Sequence, residues 1–116
     1  MDFKKQKSIY QQIADQLCDR IVAGEWKPDE RMVSVRDVAT ELQVNTNTVL
    51  RSFDYLQQQG IIYNRRGIGY FLATDAPMKV KALQRKQFFE EDLVPILQKM
   101  RLLGITFEEI KKELNQ

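Results

Sequence analysis

Ser34–Leu72 reads SVRDVATELQVNTNTVLRSFDYLQQQGIIYNRRGIGYFL, and changes of rhythm inside it decide the fold. From Ser34 to Leu42, the residues Val35, Val38, Ala39 and Leu42 supply one apolar face. Ser34 followed by Asp37 makes a capping-box-like start, with Asp less usual than Glu at the third position. Gln43 and Val44 bridge to Asn45, a good helix cap. From Thr46 to about Gln59, Val49, Phe53 and Leu56 recur at helical spacing, and Gly60 stops the run. The rhythm then changes. Ile61, Ile62 and Tyr63 are β-prone, Asn64, Arg65, Arg66 and Gly67 interrupt them, and Tyr70, Phe71 and Leu72 follow Ile68 and Gly69. That predicts a β-hairpin with a glycine-containing tip. Two short helices joined by a short turn are a weak pattern alone. A hairpin is marginal alone and must pack on the helices. Together they predict a winged helix-turn-helix.

On the N-terminal side, Ile9, Ile13, Leu17 and Ile21 form one stripe of a helix over Ser8–Ala23, ended by Gly24. Trp26 and Pro28 follow in a stretch too short to be an element of its own, where Trp26 packs across helix ends. On the C-terminal side, Ala73–Ala76 reads as a boundary, and Pro77 suits the first turn of a new helix. From Met78 to about Leu103, Leu83, Phe89, Leu93, Leu97 and Met100 form one stripe, widened by Phe88 and Ile96. Pro95 lacks a donor and is expected to kink or break this helix near Val94. Gly104 ends it. Thr106 with Glu109 starts a last short helix bearing Phe107, Ile110 and Leu114. Two such helices cannot form a core of their own, and an apolar stripe this wide is unusual on a monomer. The expectation is therefore a mostly α chain: a winged helix-turn-helix in residues 1–75, then a two-helix dimerisation region in residues 76–116.

At 116 residues the chain has no room for a reading module plus a full ligand-binding domain. Its 43% hydrophobic and 29% charged residues fit a folded protein. One cysteine, Cys18, and no histidine exclude an intrachain disulfide and a histidine-based metal site. No cofactor is expected. Cys18, between Leu17 and Asp19, reads as packing rather than as a nucleophile, and Glu90-Glu91-Asp92 as a solvated helix surface, so an enzyme is not expected. No run reaches the length of a membrane span, and Met1–Lys7 is polar without the apolar stretch of a signal peptide, which points to the cytoplasm. The net charge is only +2. Residues 1–75 hold ten basic and ten acidic residues, so any attraction to DNA rests on charge placement.

These residues carry a resemblance. Ile9 to Ala73 resembles the DNA-binding domain of the GntR family of bacterial transcriptional regulators. The matching pieces are Ile9–Ala14, the Gly24–Arg31 turn, Ser34–Ala39, Val44–Val49, Leu56–Ile62 and Arg66–Phe71, in family order and spacing. The short tail is similar to that of the small YtrA-like subfamily, with its internal proline and Leu103-Gly104-Ile105-Thr106. The resemblance implies a homodimeric repressor on an inverted-repeat operator in double-stranded DNA, with transporter genes as frequent targets. It names no small-molecule effector. Four positions depart from the family: Pro28-Asp29-Glu30 replaces Pro-Gly-Asp, Val33 stands for proline, Leu50 for an arginine, and Tyr70 for threonine.

In this architecture the third helix enters the major groove and the wing reaches the adjacent backbone or minor groove. Asn pairs with adenine, and Thr offers a hydroxyl to base or phosphate and a methyl to thymine. Thr46 and Asn47 are the candidate base contacts, Asn45 chiefly a cap, and Thr48 a phosphate contact. Arg36 lies in the first turn of its helix, where the dipole does not favour a cation. It is read as a DNA contact against a plain solvated arginine, with Ser34 beside it as cap and phosphate contact. Arg51 either reaches phosphate or pairs with Asp54 or Glu41. Arg65 and Arg66 on the wing suit phosphate or a narrow minor groove, Arg66 more than Arg65. Gly67 and Gly69 let the backbone approach closely. Tyr70 offers its hydroxyl to phosphate or packs along the wing. A winged helix that binds protein rather than DNA is the competing reading, kept open by the neutral charge balance and Leu50.

Overall fold

The computed structural model describes residues 7–116; residues 1–6 of the polar N-terminus lie outside them. The described chain divides into two compact units, residues 7–82 and 83–116.

The first unit begins with α1 (Ile9–Val22), started by a capping box in which Ser8 and Gln11 satisfy each other's backbone N–H. Its stripe of Ile13, Ala14, Leu17, Cys18 and Ile21 is buried. Ile9, placed on that stripe by spacing, is exposed. α2 (Val35–Leu42) is capped by Ser34, whose hydroxyl accepts from the Asp37 N–H. It ends at Gln43, which takes the left-handed conformation with φ 56°. α3 (Thr46–Gln58) is capped by Asn45, whose side-chain oxygen accepts from the Asn47 N–H at 2.7 Å. Val49, Phe53 and Leu56 are fully buried on its inner face.

The hairpin pairs β1 (Ile62–Arg65) with β2 (Gly69–Leu72) in antiparallel register, from Ile62 opposite Leu72 to Arg65 opposite Gly69. Asn64 and Arg65 thus belong to a strand, and only Arg66, Gly67 and Ile68 turn the chain. Ile62, Phe71 and Leu72 are buried, so the hairpin is packed as a wing should be.

The stretch after α1 does more than connect. Asp29 N–H donates to the Leu72 carbonyl, Leu72 N–H to that of Glu30, and Met32 N–H to that of Tyr70. Arg31 pairs with Phe71 as an isolated bridge, so this segment forms a third edge of the wing. Trp26 is half-buried, with the Arg20 guanidinium 4.9 Å from its ring centroid. Beyond the hairpin, α4 (Ala76–Gln87) begins with Ala76 and Val80 buried.

In the second unit the helix continues through a π-helical turn (Phe88–Asp92) into α5 (Leu93–Leu103). Leu93 N–H reaches back five residues to the Phe88 carbonyl. The irregularity expected near Val94 therefore lies a turn earlier. A proline ring clashes with the carbonyl four residues before it, here that of Glu91, and widening the preceding turn moves that carbonyl aside. Gly104, with φ 67°, ends α5, and the Ile105 N–H donates to the Met100 carbonyl. α6 (Phe107–Leu114) starts with a full Thr106–Glu109 capping box. No residue of α5 or α6 is buried.

Candidate nucleic-acid interface

The N-terminus of α3 is an exposed polar edge. Asn45, Thr46 and Asn47 are exposed, and Thr48 is half-buried. The Asn45 side chain is spent on the Asn47 N–H, which leaves Thr46 and Asn47 with their side chains uncommitted among the described residues. The positive end of the helix dipole there also favours an anion.

Arg51, one turn further, pairs with neither Asp54 nor Glu41. Its guanidinium lies 4.2 Å from the centroid of the Tyr10 ring on α1. Glu41 faces Arg20 instead, 3.8 Å away. Tyr10 is fixed in turn: its carbonyl accepts a 2.7 Å bond from the buried Ser52 hydroxyl, and its ring meets that of Tyr55 edge-on. α3 is thus pinned to α1 by Ser52 and carries Arg51 along that junction. Arg36 is exposed on the first turn of α2 and makes no ion pair among the described residues. Leu50 is 40% exposed, while every other large apolar residue of α3 lies inward.

On the wing, Arg65 stacks 5.0 Å from the Phe71 ring centroid, and Arg66 projects from the turn without a partner among the described residues. Gly67 has φ 79° and open space where a Cβ would stand. Gly69, φ 143°, is different: a Cβ there would meet Arg31 Nε at 3.1 Å. Arg31 lies across the bare backbone of Gly69, so a third arginine joins Arg65 and Arg66 near the wing. Sequence reasoning passed over Arg31 because its strand pairing is with residues far along the chain. Tyr70 packs edge-on against Phe53 at 4.8 Å. Its hydroxyl titrates above the ordinary range, raised first by burial and then by the charge of Asp54.

Among the described residues no group of acidic, cysteine or histidine side chains is placed to hold a metal, and no helix is long and apolar enough to cross a membrane.

Residues 9–72 match the family of bacterial regulatory proteins named gntR. The HTH-type transcriptional regulator YhcF of Bacillus subtilis is 39% identical over 108 residues, covering 93% of this chain and 88% of that protein. The HTH-type transcriptional repressor YtrA of the same organism is 27% identical over 117 residues, covering 100% of this chain and 88% of YtrA. Among solved structures, a GntR-family regulator from Bacteroides thetaiotaomicron superposes with a TM-score of 0.80 at 42% identity, covering 93% of this chain and 94% of its own. The chain belongs to the GntR family and is a DNA-binding transcriptional regulator.

Proposed function

We propose that two copies of this chain bind an inverted-repeat operator and repress the genes behind it. In each copy residues 1–75 read the DNA and residues 76–116 hold the pair together. The observation that carries the reading half is the uncommitted Thr46–Asn47 edge at the start of α3, with Arg36, Arg51 and the wing arginines exposed in the same unit. Thr46 and Asn47 read base edges. Ser34, Arg36, Thr48 and Arg51 grip phosphate, and Arg65, Arg66, Gly67, Gly69 and Tyr70 form the wing contact.

The pairing half rests on the second unit. Phe89 is 54% and Leu97 38% exposed in a single chain, and Leu83, Leu93 and Met100 are half-buried. Helices without a buried residue are not stable on their own in water, and a second copy supplies the missing cover. Repression is supported by likeness to YtrA, which is named a repressor. Transporter genes are the expected targets, and the effector, if one exists, is not specified by any feature of the chain.

The test is selection of bound duplexes from a random library, followed by titration of the winners at two salt concentrations. An enriched two-fold symmetric site, bound more weakly at high salt, is the expected result. No enrichment, with weak binding even at low salt, would overturn it in favour of a protein partner. A sedimentation mass of one chain at micromolar concentration would remove the dimer.

A further inference from the structure

Leu50 is the one large aliphatic residue of α3 left substantially open to solvent. It is 40% exposed on α3, while Val49, Phe53 and Leu56 fill the inner face. Helical spacing sets it one turn beyond Thr46 and Asn47, on their side of the helix. Arg51 also stands one turn beyond Asn47, but its guanidinium is drawn towards α1, against Tyr10. The outer surface of α3 is therefore divided. One flank carries a cation held beside α1 and suits the sugar-phosphate backbone. The other carries Thr46, Asn47 and Leu50, and ends one turn later in the exposed carboxylate of Asp54. An acidic group and a bare leucine do not suit phosphate, which favours base edges over the backbone for this flank.

In the major groove only one base offers an apolar partner, thymine, through its 5-methyl group. We infer that Leu50 is a specificity-determining residue that selects a thymine in each half-site by packing on that methyl, beside the base pair read by Asn47. The inference rests on the operator reading above. An arginine at this place would accept guanine; leucine rejects it, because the guanine O6 and N7 would lose water without gaining a donor.

The experiment takes the duplex enriched by the wild-type full chain and replaces each thymine in turn, in both half-sites, by deoxyuridine, which lacks only the methyl. Wild type is expected to lose roughly four-fold in affinity per half-site at one thymine position, the worth of one buried methyl. Leu50→Ala is expected to bind the thymine and uracil duplexes equally while keeping its preferences elsewhere. Leu50→Arg, selected afresh, is expected to enrich guanine at that position. Discrimination of thymine from uracil that persists unchanged in Leu50→Ala overturns the inference, as does a wild type indifferent to every methyl on an enriched site. A library that yields no enriched site sinks the operator reading itself, and this one with it.

Discussion

The carboxylate of Asp29 accepts a 2.8 Å hydrogen bond from the hydroxyl of Thr74, 45 positions further along the chain. Its other oxygen accepts from the Tyr63 hydroxyl at 3.1 Å. Asp29 itself sits at φ 63°, in the left-handed region that favours glycine. The left-handed backbone costs a non-glycine residue roughly 1–2 kcal/mol, and the two bonds offset part of that while tying the α1–α2 segment to both ends of the hairpin. Asp29→Ala keeps the strain and loses both bonds, so it should unfold about 1–2 kcal/mol more easily in urea. Asp29→Gly loses the bonds but sheds the strain, and should fall between Ala and wild type. An alanine variant as stable as wild type would show that the bonds contribute nothing.

Ser52 is the buried polar residue at the α1–α3 junction, with no exposed surface. Replacing it with alanine removes the bond to the Tyr10 carbonyl and should cost about 1 kcal/mol. Valine in its place should cost more, because Ser52 is fully covered and a bulkier side chain must displace its neighbours. Thermal melts of both variants decide the order.

Tyr10 should matter for DNA without touching a base. Tyr10→Leu removes the ring under Arg51 and leaves that guanidinium unplaced. Operator affinity is expected to fall a few-fold with base preferences intact. Arg51→Ala should lower the slope of log affinity against log salt by about one for each half-site. An unchanged slope would remove Arg51 from the phosphate contacts.

Asn47→Ala should relax selection at one position of each half-site and cost about 1–3 kcal/mol there, with other positions unaffected. A uniform loss across all sequences would instead make Asn47 a backbone contact.

Cys18 gives a probe of folding. Burial, with Asp15 and Asp19 adding to it, pushes its thiol up to about 12 from an ordinary value of 9.0. Native protein at pH 8 should therefore resist thiol reagents, and labelling should track global unfolding. The neutral thiol is favoured in the fold. That advantage is fully present below pH 9.0 and is lost as pH climbs from there towards 12. Cys18→Ala should show a shallower decline in stability over that window. Rapid labelling of folded protein would contradict the burial.

Much of the reading head was legible because its signals are local. Asn45, Gly60 and the periodic Val49, Phe53 and Leu56 sit within a turn or two of what they control. What escaped was non-local or compensated. The third edge of the wing is one residue pair, Arg31 with Phe71, and no short window contains both. Asn64 and Arg65 looked like turn residues because they are polar, yet an exposed strand tolerates them. Pro95 pointed to a distortion near Val94, and the widened turn lies one turn earlier, at Phe88–Asp92. The roles of Arg36, Arg51 and the wing arginines rest on the family resemblance, since charge count alone was neutral.

The π-helical turn at Phe88–Asp92 holds one residue more than an α-helical turn would. The wider turn takes that residue up, so from Leu93 onward each side chain stands where the residue one number earlier would stand in an uninterrupted α-helix. In the proposed pairing, the side of α5 on offer therefore depends on this widened turn as much as on side-chain chemistry. A chain of the same length that closed this turn to α-helical geometry would present α5 rotated by about 100° relative to the residues just before it, whereas deletion of one residue within the turn would restore a regular helix and keep the face.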